Sequence, residues 1–147
     1  MNIESMKTTA EFLLAVVGIL AAAVAGWTYW KNSKRERTRW LFELYQRFYE
    51  REELKPMRAR IESGETGFAK EEKDSALLEQ LDDYLNFFEF IAYLHERNEL
   101  KKEEVAAMFD YPLRKIARDE AVSQYLSQPE YGYEGVRELL KDLGYAK

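Results

Sequence analysis

Apolar positions along the chain fall into two regimes. Phe12 to Trp30 is a stretch of nineteen residues without a charge, whereas from Trp40 onward apolar residues recur at steps of three and four. Wound as a helix rising about 1.5 Å per residue, the first regime covers roughly 29 Å, close to the ~30 Å hydrocarbon thickness of a bilayer. It predicts a membrane-spanning helix. The second predicts amphipathic helices with one face turned inward.

The first amphipathic face is Trp40, Leu41, Leu44, Tyr45, Phe48 and Tyr49, and no Pro or Gly separates Trp27 from Leu54, so the spanning helix is expected to run on into it. Pro56 fits the first turn of a short helix over 57–62, stopped by the glycines of SGETG at 63–67. The longest helix is expected over 71–98, with Leu77, Leu78, Leu81, Tyr84, Leu85, Phe88, Ile91, Ala92 and His95 on one stripe. Phe87 and Phe90 widen that surface around Glu89, which makes this helix the expected centre of a bundle. NELKKEEV reads as a turn and a new amino terminus, with Glu103 and Glu104 in the first turn and Val105, Met108 and Phe109 inside. Pro112 is expected to open a further helix, with Leu113, Ile116, Ala117, Tyr125 and Leu126 continuing its stripe to Pro129. After a turn at YGYEG, 131–135, Val136, Leu139, Leu140 and Leu143 form a closing helix ended by Gly144.

No segment alternates β-branched and polar residues, so the expected fold is all-α: one N-terminal transmembrane helix continuing into a cytoplasmic bundle of about four or five helices. Four segments follow: a short extracytoplasmic N-terminus at 1–11, the transmembrane helix at 12–30, a basic juxtamembrane collar at 31–39 and a cytoplasmic helical domain at 40–147.

Charge sharpens this division. The net charge of -5 conceals ten Lys/Arg against five Glu over 31–60, a balance of +5, and eleven Lys/Arg against twenty Asp/Glu over 61–147, a balance of -9. Trp27, Tyr29 and Trp30 are rings suited to the headgroup level, and Lys31, Lys34, Arg35, Arg37 and Arg39 follow at once. By the positive-inside bias this end stays in the cytoplasm, which places the N-terminus outside the inner (plasma) membrane. Ala23-Val24-Ala25 before Gly26 offers a competing signal-peptidase site, but Glu4 and Glu11 offset Lys7 and the apolar core is too long for a signal peptide.

Within the span, Gly18, Ala22 and Gly26 recur every four residues, a stripe of small residues that lets two helices approach closely. A homo-oligomer is the expected consequence. The collar nets +4 over 31–39, and each such cation contributes on the order of 1 kcal/mol against an anionic leaflet, so the bilayer itself is an expected partner.

Catalytic equipment is absent from the sequence. Cysteine is missing, the only histidine is His95 on an inner helix stripe, and no P-loop, Gly-rich dinucleotide turn, calcium loop or G-x-S-x-G context occurs. Glu79, Asp82 and Asp83 lack the Glu-x-x-His partner of a di-metal set. No enzyme activity, metal or cofactor is expected. One group suits an anion: Arg114 and Arg118 lie four apart, with Lys115 beside them and Tyr111 and Tyr125 near in sequence, and guanidinium forks with aromatics can hold a phosphate or nucleotide. Double-stranded nucleic acid is not an expected partner of so acidic a segment.

LDDYLNFFEFIAYL, VAAMFDYPL and LYQRFYERE resemble segments of short bacterial membrane-anchored helical proteins classed as a domain of unknown function. The resemblance covers about residues 38 to 128 and implies the fold, with Asn86 and Glu89 as the polar members of the motif; it carries no catalytic residues. Two functions are compatible with all this: an oligomeric interaction or sensing module with an unknown protein partner, or a membrane effector, for example in anti-phage defence, that binds a small anionic signal such as a nucleotide and perturbs the bilayer through clustered spans.

Overall fold

The computed structural model describes residues 3–64 and 75–146, and within them the chain is helical, with no strand. Six α-helices follow in order: α1 (Ile3–Glu50), α2 (Lys55–Ser63), α3 (Ser75–Glu96), α4 (Lys102–Arg118), α5 (Glu120–Leu126) and α6 (Glu134–Asp142), with a 3₁₀ turn at Pro129–Tyr131. The all-α expectation holds, as does one long apolar N-terminal helix followed by a helical region. Contacts divide the chain into two compact units, residues 1–44 and 45–147.

In the first unit the helix is continuous through the apolar stretch and the collar. It is long and apolar enough to cross a membrane, and among the described residues none of its apolar window is buried within the chain. The helix also runs without interruption through Ala25 and Gly26.

The second unit is assembled on aromatic rings. Phe48, in the last turn of α1, is fully buried and meets Phe87 at 5.0 Å, Phe88 at 5.2 Å, Phe109 at 5.6 Å and Tyr84 at 5.7 Å between centroids. Tilted and edge-on pairs at such distances add about 0.5–1.5 kcal/mol each beyond the area they bury. Around them pack Leu81, Leu85 and Ile91 of α3, Met57 and Ile61 of α2, and Leu113 and Ile116 of α4. α3 touches α2, α4 and α6, so it is central as its long stripe predicts. Arg58 of α2 donates to the carbonyls of Phe48 at 3.0 Å and Tyr49 at 3.3 Å, meeting two acceptors that every helix end leaves open.

Helix ends follow local chemistry. Gly64, at φ 74°, closes α2. Gly144, at φ 77°, closes α6 as expected, its N–H donating to Lys141 and that of Tyr145 to Leu140. The same pair of bonds ends α3, but with Asn98 at φ 60° in the left-handed position. The expected start of α3 at 71–74, and Glu65 to Gly67 of the loop, lie outside the described residues.

Two expectations are corrected. Pro112 does not open a helix: it lies inside α4, fully within the apolar stripe. Burial of its neighbours Phe109, Leu113 and Ile116 holds the helix on course despite the lost N–H. The break comes instead at Asp119, whose extended backbone ends α4 and whose carboxylate accepts the Val122 N–H at 3.0 Å to start α5. Phe90 does not widen the inner face; it is 47% exposed.

Candidate functional site

Along the spanning stretch, Leu14, Val17, Ile19, Leu20 and Val24 are each at least 60% exposed. Trp27 and Trp30 meet as a tilted pair at 5.6 Å, and the Lys34 ammonium lies 3.6 Å from the Trp30 ring centre. A cation so close to an indole face is held by the ring quadrupole. Lys31, Arg35 and Arg39 are exposed and Arg37 half-exposed, with Arg39 paired to Glu43 at 3.0 Å. Among the described residues, nothing beyond the adjoining residues and the helix's own backbone lies within 4 Å of a Cβ placed at Gly18 or Gly26, and Ala22 is exposed, so the small-residue stripe is open.

The five residues of the anion group do not converge. Arg114 donates through Nε to both Asp110 oxygens at 2.9 Å, and its guanidinium lies 4.8 Å from the Tyr145 ring centre. The Tyr145 hydroxyl also donates to Asp110, and this bond, with that from Arg114, holds the Asp110 carboxyl below its ordinary range. Lys115 donates to the Glu62 carbonyl at 2.9 Å, tying α4 to α2, and lies 5.7 Å from the exposed Tyr111 ring. Tyr125 turns elsewhere: it stacks on Tyr131 at 4.1 Å and its hydroxyl donates to Asp82 at 2.7 Å. Among the described residues, Lys115 and Arg118 share a hollow, 460 Å³ in volume, with Ile61, Gly64, Asp119 and Glu120. Spacing alone places Arg114 and Arg118 together, but Asp110, one turn earlier, captures the first.

Two carboxylates of α3 do structural work that local sequence does not reveal. Asp82 accepts from Tyr125 and, at 2.8 Å, from Tyr133. Burial, and then the bond to Asp82, raise both phenols above their ordinary range. Glu89 accepts from the backbone N–H of Gly135 at 3.0 Å and Val136 at 2.9 Å. Asp82 is therefore engaged with phenols, and among the described residues no group of acidic or histidine side chains is disposed to hold a metal.

His95, expected in the core, is instead half-buried at the carboxyl end of α3, between the Leu100 carbonyl at 2.9 Å and the Asp142 carboxylate at 3.2 Å. It borders a groove of 380 Å³ between α3 and α6, rimmed by Glu96, Glu134, Glu138 and Asp142. Sequence reasoning missed this groove. Its one available signal was the spacing of Glu134, Glu138 and Asp142, which puts three acids on one face of α6.

No protein-family model, curated protein or solved structure matches the chain.

Proposed function

We propose that the chain is a non-enzymatic, single-pass protein of the inner (plasma) membrane, with residues 31–147 in the cytoplasm, where the helical domain acts as an interaction or sensing module of a homo-oligomer. The observation that carries this reading is a continuous helix whose large apolar side chains stand exposed turn after turn. A bilayer removes that exposure, at roughly 1.5–3 kcal/mol per large aliphatic side chain. Water would leave it uncompensated. The tryptophan pair and collar supply a headgroup-level boundary and the sign that orients it.

Single cysteines test the topology cleanly because the chain has none. In intact cells a membrane-impermeant maleimide should label Ser5→Cys, and should reach Ser127→Cys only after permeabilisation. Carbonate washing should leave the chain in the membrane fraction. The reverse labelling, recovery as a soluble species, or a mature chain beginning at Gly26 would overturn the assignment.

The hollow at Lys115 and Arg118 supports a second reading, the membrane effector answering a small anionic signal. Reversing both charges should then abolish nucleotide binding and toxicity while helix content is retained. No change in either would remove this reading.

A further inference from the structure

The groove between α3 and α6 joins an apolar floor to an anionic rim. Ala92 and Leu139 form the floor and are nearly fully buried. Gly135 lies beside them, with the Glu89 carboxylate set against it. Among the described residues no lysine or arginine lines it, whereas four carboxylates do.

The rim carboxylates are partly engaged. Glu134 pairs with Arg137 at 3.1 Å, Glu138 with Lys141 at 2.7 Å, and Asp142 with His95 at 3.2 Å and Lys102 at 3.6 Å. The acid side chains of these pairs are 51–72% exposed, and exposed pairs are worth about 0–1 kcal/mol. They can exchange for cations that arrive with apolar contact.

The walls are fixed before anything binds. Glu89 anchors the amino end of α6 to α3 by two backbone N–H bonds, and His95 bridges from the end of α3 to Asp142 at the end of α6. A preformed groove avoids the ordering cost of assembling one on binding.

From this we infer that the α3–α6 groove is a docking site for a cationic amphipathic segment of a partner protein, a short helix carrying an aliphatic side chain between lysines or arginines. Charge complementarity selects this occupant: an anionic lipid surface or an acidic peptide would set like charges against the rim. The aliphatic side chain would lie on Ala92 and Leu139, a helix-in-groove mode of recognition. The inference rests on the interaction-module reading and gives that module's partner a chemistry.

The test uses the full chain in dodecyl maltoside micelles and a fluorescein-labelled helical peptide of lysines with one central leucine, with empty micelles as blank. Anisotropy should rise saturably and weaken steeply with salt, and a glutamate-for-lysine peptide should stay silent. Glu134→Lys with Glu138→Lys should weaken binding at least tenfold; should that variant lose its helical melt, Glu138→Gln should still weaken binding about threefold. Equal binding of both peptides, or unchanged affinity in the folded variants, overturns the inference. So does tighter binding of a peptide of residues 31–39, which would make the occupant a second copy's collar. The assay is read in detergent, so failure of the membrane assignment, seen by carbonate washing, is a separate result.

Discussion

Glu89, on α3, sets its carboxylate directly over Gly135, where a Cβ would stand 2.6 Å from Oε1. The same oxygen accepts the Gly135 N–H, so the missing side chain is what permits the bond. An anionic acceptor at a helix amino terminus gains both the hydrogen bonds and the dipole interaction, together about 1–2 kcal/mol.

Gly135→Ala should therefore displace the carboxylate and cost about 1–2 kcal/mol, and Glu89→Ala a similar amount. The two should not add. Once Glu89 is removed the three atoms nearest that Cβ are gone and alanine gains helix propensity, so the double variant should be no less stable than Glu89→Ala alone. Urea melts of the full chain in detergent, followed by circular dichroism, give the cycle; simple additivity would refute the coupling.

Tyr84 poses the opposite case. It is fully buried among the aromatic rings, and its hydroxyl finds no hydrogen-bond partner among the described residues. Burying a hydroxyl without a partner costs about 1–3 kcal/mol, while the ring supplies the packing. Tyr84→Phe should accordingly raise stability by about 1 kcal/mol, read as a higher urea midpoint at unchanged slope. A destabilised variant would mean that the hydroxyl is bonded after all.

How much of this was legible depends on distance along the chain. The buried face of α3, from Leu81 through Tyr84, Leu85 and Phe88 to Ile91, follows helical periodicity, and the ends at Gly64 and Gly144 follow from glycine's freedom at positive φ. Pro112 was misread because proline favours a first turn. The carboxylate that starts a helix is Asp119, seven residues on. Glu89 and Gly135 lie 46 residues apart, and Tyr133 lies 51 residues from Asp82; no local pattern encodes such pairs. The anion group failed partly for a related reason, since Tyr145 reaches Asp110 across 35 residues and also meets Arg114, and partly because Asp110, one turn before Arg114, pairs with it.

The buried phenols around Asp82 also set an alkaline limit. The phenols of Tyr125 and Tyr133 are raised above their ordinary 10.0, chiefly by burial and then by the hydrogen bond to Asp82. For a group whose folded pKa lies above its unfolded one, the contribution is complete below the unfolded value and is lost as pH climbs toward the folded value. Stability should thus be level through neutral pH and decline above about pH 10. Tyr133→Phe should lower the neutral plateau by about 1–2 kcal/mol, because a charge-assisted bond is lost, and make the alkaline decline shallower. Melts across pH 8 to 11 provide the check; a variant with the wild-type slope would break the link to this cluster.

The small-residue stripe gives the most direct probe of assembly. Apart from the adjoining residues and the helix's own backbone, no atom of the described residues lies within 4 Å of a Cβ at Gly18 or Gly26, so isoleucine there keeps the span apolar without displacing a packed neighbour. In lipid, close backbone approach is the main source of association, and two branched side chains on the stripe would hold neighbouring helices apart. Gly18→Ile with Gly26→Ile should weaken self-association at least tenfold, or about 1.4 kcal/mol, in sedimentation equilibrium in density-matched detergent. Leu20→Ile, off the stripe, should leave it unchanged. If both variants associate as the parent does, the oligomer is held by other surfaces and the stripe is only the composition of an apolar span.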